Sequence, residues 1–306
     1  MKSSHFARAL WFGILGALFF AFTFIFNRSM NLAGGSWMWS ASLRYLFSLP
    51  IMAVLVWQKG ELKGVLSAIA RALWTWLLWS TVGFGLFYAP LSMASIYGES
   101  WFVAATWQIT ILAGLLLTPL FGQKIPRKQL GMTLLILLGI VLIQIPYFGR
   151  GLGEGVVRAS ILILIAAFSY PLGNRKMLVH CKEEQLSTTQ RVFGMTLMSV
   201  PFWLLLAVFA GVDAGLPSGG QMLQSLIVAV FSGVIATMLF FEATNLVKHN
   251  HQQLAVVEAT QAGEVLFTLF GGCLFLGDQI PTPLGFLGVF IVIIGIVGNS
   301  LMTSSD

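Results

Sequence analysis

Glu258, Gln261 and Glu264 lie inside AVVEATQAGEVLFTLFGGCLFL, residues 255–276, a run that is otherwise almost entirely apolar or small. At about 100° per residue they spread across roughly 120° of one helix, enough to form a single polar wall of a cavity. A carboxyl group withdrawn from water favours its neutral form. Such a group can hold a proton near neutral pH and release it when a cation or water arrives, which is the requirement for proton/cation exchange. The structural alternative is a Glu264 kept protonated as a hydrogen-bond donor to a neighbouring helix. Glu242, at the end of the preceding apolar run, extends the acidic set.

The element that must carry these groups is a membrane helix. At about 1.5 Å per residue the run covers roughly 33 Å, slightly more than a hydrocarbon core, and Glu264 falls near its middle. Ionisable residues at that depth are costly and mark function. The chain is 57% hydrophobic and only 9% charged over 306 residues, with a mean hydropathy of +0.87. That leaves too little polar surface for a soluble globule and implies an integral membrane protein. The net charge of +6 reads as membrane topology and attraction to anionic lipid, not as nucleic-acid binding.

Hydropathy predicts ten spans, at 9–26, 37–57, 72–94, 100–121, 129–145, 156–172, 188–209, 223–243, 255–276 and 284–302. The runs are continuous rather than alternating, so the expected class is all-α and not a membrane barrel. Residues 1–8 are too short and polar for a separate leader, and the first run is taken as a membrane helix. Connections are short, so a site must lie between helices. Of the 17 lysines and arginines, Lys2, Arg8, Lys59, Lys63, Arg71, Lys124, Arg127, Lys128, Arg175, Lys176, Lys182 and Lys248 fall on the side of the N-terminus. Arg28, Arg150 and Arg158 fall on the other. The bias predicts a multi-pass protein of the inner (plasma) membrane with both termini cytoplasmic. Cys181 and Cys273 fall on opposite sides, too far apart for a disulfide.

The two halves share a pattern. Asn27, Arg28 and Met30 recur as Asn174, Arg175 and Met177, and the same offset carries Arg44 to Arg191. At a slightly longer offset Gly122, Ile125 and Pro126 recur as Gly277, Ile280 and Pro281. The prediction is two five-helix repeats, 1–148 and 155–303, in a single integrated membrane domain. Five is odd, so the second copy enters from the opposite face and the repeats are inverted, an arrangement that supplies two opposed states around a central site.

Ten helices in this inverted arrangement, the LRYLFSLPIM run of the second span and the Gly-x-x-Ile-Pro turn before each closing helix resemble the drug/metabolite transporter superfamily. Within it the chain is most similar to the multidrug-resistance efflux branch, with EamA-type permeases as neighbours. The resemblance covers essentially the whole chain. It implies a central cavity lined by helices 1, 3, 4, 6, 8 and 9, with the last helix of each half at the periphery. Four-helix members carry a helix 1 glutamate where proton and cation compete; here 9–26 contains no acid, so that role would pass to the ninth helix.

The repeat mates of Glu258, Gln261 and Glu264 are Val103, Thr106 and Ile109, which are not acids. The fourth span instead offers Trp107 and Gln108, with Thr106 and Thr110. An acid wall facing aromatic and amide groups suits an apolar cation. Arg44, about two turns into the second span, is expected either to snorkel or to meet an acid or a substrate anion, whereas Arg191 is expected to snorkel. Arg28 and Arg175 read as anchors or gate-side charges. Tyr88 and Tyr170 could present hydroxyls to the cavity, and Pro171 frees a carbonyl near Ala167 for a ligand or hinge, with packing as the simpler reading for all three. The pairs Gly13/Gly16, Gly285/Gly288 and Gly295/Gly298 speak to close packing.

His249 and His251 have no third ligand nearby, and no nucleophile elbow, phosphate loop or HExxH motif occurs. The sequence therefore predicts a non-enzymatic secondary transporter without cofactor, drawing on a proton gradient and exporting small organic molecules, lipophilic cations or drugs first. The alternative is an exporter or permease for amino acids or other metabolites, with Arg44 meeting a carboxylate. The expected partners are a small-molecule substrate and membrane lipids, with no nucleic acid, in a monomer or homodimer.

Overall fold

A bilayer offers the backbone no hydrogen-bond partners, so long apolar runs satisfy their N–H and C=O groups internally, as helices. The computed structural model describes residues 2–122, 124–125, 127–149, 153–247 and 249–303, and no strand occurs among them. Helix α1 covers Lys2–Leu32, α2 Trp37–Gln58 and the short α3 Leu62–Arg71. Helices α4 and α5 cover Leu73–Ala94 and Ser100–Leu116. Then come α6 at Arg127–Gly149, α7 at Gly153–Glu183 and α8 at Thr188–Ala214. Helix α9 is Gly219–Val247, α10 is Val256–Leu276 with a lead-in from His251, and α11 is Pro283–Thr303.

Among the described residues nine helices are long and apolar enough to cross a membrane. The expected fourth span is the exception. Its apolar helix α5 stops at Leu116 and gives way to a 3₁₀ turn at Thr118–Phe121. Pro119 has no N–H to continue an α-helix, and Gly122 follows with a left-handed φ of 73°. Helices α1 and α7 run well past their predicted ends because hydropathy marks only the apolar part of a helix. Residues 62–71, expected as a loop, form α3. It buries Val65, Ala68 and Ile69, spaced as one helical stripe, while Arg71 reaches Ser67 and Glu184.

Start signals are chemical. Ser187 and Gln190 form a reciprocal capping box ahead of α8, and Ser218 and Asn250 cap α9 and the lead-in to α10. The principal packing partners are α6 with α11, α2 with α8, α4 with α7, α1 with α9 and α10, and α5 with α7. Helices α6 and α11 touch backbone to backbone: a Cβ on Gly288 would lie 2.6 Å from the Gly139 carbonyl oxygen. Gly83 and Gly173 do the same for α4 and α7. Trp74, Leu216 and Phe275 project outward, where lipid can cover them. Both cysteines are free. Pro126 of the first Gly-x-x-Ile-Pro turn, Arg150, Lys248 and the His251 side chain lie outside the described residues.

Candidate functional site

Helices α5 and α10 both break partway along their length. In α5 the helix runs Ser100–Trp107 and resumes at Ile109–Leu116. At the break the Gln108 N–H bonds back to the Ala105 carbonyl, and its side-chain amide donates to the Ala104 carbonyl at 3.2 Å. In α10 the helix tightens to 3₁₀ through Thr260–Ala262, and the Thr260 hydroxyl donates to the Val257 carbonyl at 2.6 Å. In both, polar side chains compete with the helical ladder for its own carbonyls. The breaks border a common space.

That space is a cavity of about 510 Å³ between the helices. Glu258, Gln261 and Glu264 all line it from α10, and Trp107 and Gln108 line it from α5, so the two expected walls face one volume. Tyr170 joins them from α7. Phe87, which sequence reasoning did not single out, completes an aromatic wall: its ring centroid lies 5.1 Å from Trp107 and 4.8 Å from Tyr170. The Nε2 of Gln261 is buried with no protein partner.

Arg44 also lines the cavity rather than snorkelling to headgroups. Its Cζ sits 4.0 Å from the Tyr88 ring centroid, and it donates to the Thr23 and Ser232 hydroxyls at 3.3 and 3.4 Å. Those hydroxyls, also unanticipated, lie 2.6 Å apart, with Ser232 on the π-helical stretch Val228–Ala236 of α9.

Several expectations are corrected. Tyr88 is fully buried and does not line the cavity; Asn27 Nδ2 donates to its hydroxyl at 3.1 Å, so its ring supports Arg44 while its hydroxyl is used within the bundle. The Ala167 carbonyl that Pro171 releases accepts from the Thr110 hydroxyl at 3.2 Å, which ties α5 to α7 and gives it a packing role. The tenth span is not confined to the periphery, since α11 supplies Ile296, Asn299 and Ser300, and the second span joins the lining through Arg44, Tyr45, Ser48 and Met52 of α2. Glu242 does not line this cavity. It lines an adjoining one of about 660 Å³, which shares Met52, Val192, Phe240 and Glu258 with the first and reaches Lys59, Thr188 and Asn245 at helix ends. The second space is a vestibule to the first. Arg175 donates to the Gly114 carbonyl at 2.6 Å, and Arg191 is absent from both linings.

A bundle of membrane-length helices around a polar, aromatic cavity can be compared with known proteins. The family model EmrE, described as "Putative multidrug resistance efflux transporter", matches residues 7–305. The chain belongs to this efflux transporter family. It is 48% identical over 306 aligned residues, 95% of this chain and 93% of the relative, to "Uncharacterized protein YjlA" of Bacillus subtilis (strain 168). It is 42% identical over 267 residues, 84% of this chain and 70% of the relative, to the "Uncharacterized 42.1 kDa protein in intracellular alkaline protease 3'region" of Shouchella clausii.

In this efflux-family chain the end of the bundle away from the vestibule is cross-linked by polar contacts. Asp278, just past α10, accepts from the Ser100 backbone N–H at 2.8 Å and its hydroxyl at 2.5 Å. Arg28 Nε lies 3.6 Å from the other Asp278 oxygen, and Arg28 Nη1 donates to the Ser95 carbonyl at 3.1 Å. Trp101 donates to the Gln279 carbonyl at 3.0 Å. Arg28 thus joins α1 to the residues that follow α10 and to the end of α4. Among the described residues no group of three or more His, Cys, Asp or Glu side chains could hold a metal ion.

Proposed function

We propose that this family member is a secondary active transporter of the plasma membrane that exports small organic molecules, lipophilic cations among them, in exchange for protons. The observation that carries the reading is the cavity itself: Glu264 shares one intramembrane space with the Phe87–Trp107–Tyr170 wall. A carboxyl group there can take either a proton or a cation, and the aromatic faces attract cations of varied shape. Energy comes from the gradient, and no bond of the substrate is broken.

Alternating access needs two states of similar energy, and the inverted five-helix repeat, 1–148 and 155–303, would supply them. Several features support that repeat. The contact of α1 with α9 and α10 is mirrored by that of α7 with α4 and α5. The π-helical stretches Thr81–Gly85 and Val228–Ala236 occupy corresponding helices. Left-handed residues fall in corresponding connections, Gly34 with Gln185, Gly60 with Gly215, and Gly122 with Gly277. In this reading α5 and its 3₁₀ turn form the tenth crossing. Both termini and the vestibule, with Lys59 at its rim, then face the cytoplasm, ready to load an exported substrate.

Arg44 favours a second reading within the same class, amino acids or other metabolites bearing a carboxylate. Proteoliposomes with an imposed pH gradient test the proposal. Proton-linked flux of an organic cation that Glu264→Gln abolishes supports it; flux that ignores the gradient refutes it.

A further inference from the structure

Arg44 is the one cavity-lining cation among the described residues; its near contacts are hydroxyls and aromatic rings, and Glu264 acts on it without a direct ion pair. A buried arginine normally meets a carboxylate, because an uncompensated charge costs several kcal/mol. Here no carboxylate of a described residue comes within 4.0 Å of its nitrogens. Its hydrogen bonds, to Thr23 and Ser232, are long at 3.3 and 3.4 Å. Those hydroxyls are already within 2.6 Å of each other. The guanidinium is nevertheless held firmly, 4.0 Å from the Tyr88 centroid, over a ring that Asn27 in turn fixes. A planar cation clamped on one face, with N–H groups left for the cavity, is preorganised for a carboxylate or similar planar anion.

We infer that Arg44 is an anion-recognition subsite and that the preferred substrate is a small aromatic zwitterion, its anionic group on Arg44 and its cationic group on the Glu264 wall. The inference rests on the transport reading above and narrows its substrate class. A molecule with only a cationic group would enter a cavity that already holds Arg44, and one with only an anionic group would meet Glu258 and Glu264. A zwitterion leaves neither side uncompensated. The cavity, at about 510 Å³, is within the range for one small molecule, and Trp107 and Tyr170 would pack against its apolar part.

The test uses the purified full chain in lipid nanodiscs and three probes of one shape: phenylalanine, phenylalanine amide and 3-phenylpropionate. Phenylalanine is expected to bind about tenfold or more tighter than either singly charged analogue. Arg44→Gln should shrink its preference over the amide by a similar factor, and Arg44→Lys should shrink it less. Amide binding as tight as phenylalanine binding in the unaltered protein, or no measurable phenylalanine binding, overturns the inference, and neither depends on a variant folding. Proton-linked flux of the amide without a preference for phenylalanine overturns the subsite while sparing the transport reading. An Arg44-dependent binding preference without any proton-linked flux supports the subsite and overturns the transport reading instead.

Discussion

Helices α5 and α10 use one backbone device and different chemistry. Each interrupts its hydrogen-bond ladder beside the cavity, at Gln108 and at Thr260–Ala262, yet α10 brings two glutamates and α5 brings Trp107 and an amide. The registers differ too. Val103 and Thr106, sequence mates of Glu258 and Gln261, are buried away from the cavity, and residues 107, 108, 110 and 111 face it. A shared sequence pattern therefore does not dictate which side chains reach the centre; the local break does. In the proposed reading α5 offers an aromatic surface to the substrate and α10 the exchangeable proton.

The largest expected effect is at Glu264. Glu264→Gln should reduce proton-driven flux in proteoliposomes by about a hundredfold or more, because the exchangeable proton is lost, whereas Gln108→Leu on α5 should cost only several-fold. Equal losses would erase the distinction between the two walls. Next comes the tie between them. Asp278→Asn removes the charge that links the end of α10 to Arg28 and the start of α5, at a cost of about 1–3 kcal/mol to the cross-linked end. In a chain freed of Cys181 and Cys273, a cysteine at Leu91, which lines the cavity, should then react several-fold faster with an impermeant thiol reagent applied from that end. Trp107→Ala should weaken aromatic cations by about tenfold, in keeping with a desolvated cation–π contact, and should leave proton stoichiometry unaltered. The smallest change is expected at Glu258, which also lines the vestibule; Glu258→Gln should lower flux about two- to fivefold, read from initial rates.

Much of this was legible before any coordinates. Continuous apolar runs marked the helices, and glutamates inside one of them marked a wall, because hydropathy and helical period are local properties. The acids of α10 and Trp107 of α5 line one cavity. Features that depend on contacts between distant residues were not legible. Tyr88 reads as a cavity hydroxyl until Asn27 is placed beside it. The carbonyl freed by Pro171 reads as a ligand until Thr110 is found on it. Ser100 opens the fourth predicted span and Asp278 lies in a loop, and nothing in the sequence pairs them across the bundle as the structure does. The shortness of α5 follows from Pro119 and Gly122, a signal that was present but outweighed by the apolar residues around it.

The central claim is that substrate and proton compete at Glu264, and the most direct measurement is proton release on binding. A substrate that carries a cationic group is added at neutral pH to the purified protein in weakly buffered detergent solution containing a pH indicator. The account predicts release of about one proton per substrate bound by the unaltered chain, and none by Glu264→Gln under conditions where that variant still binds. Equal release by both would contradict it.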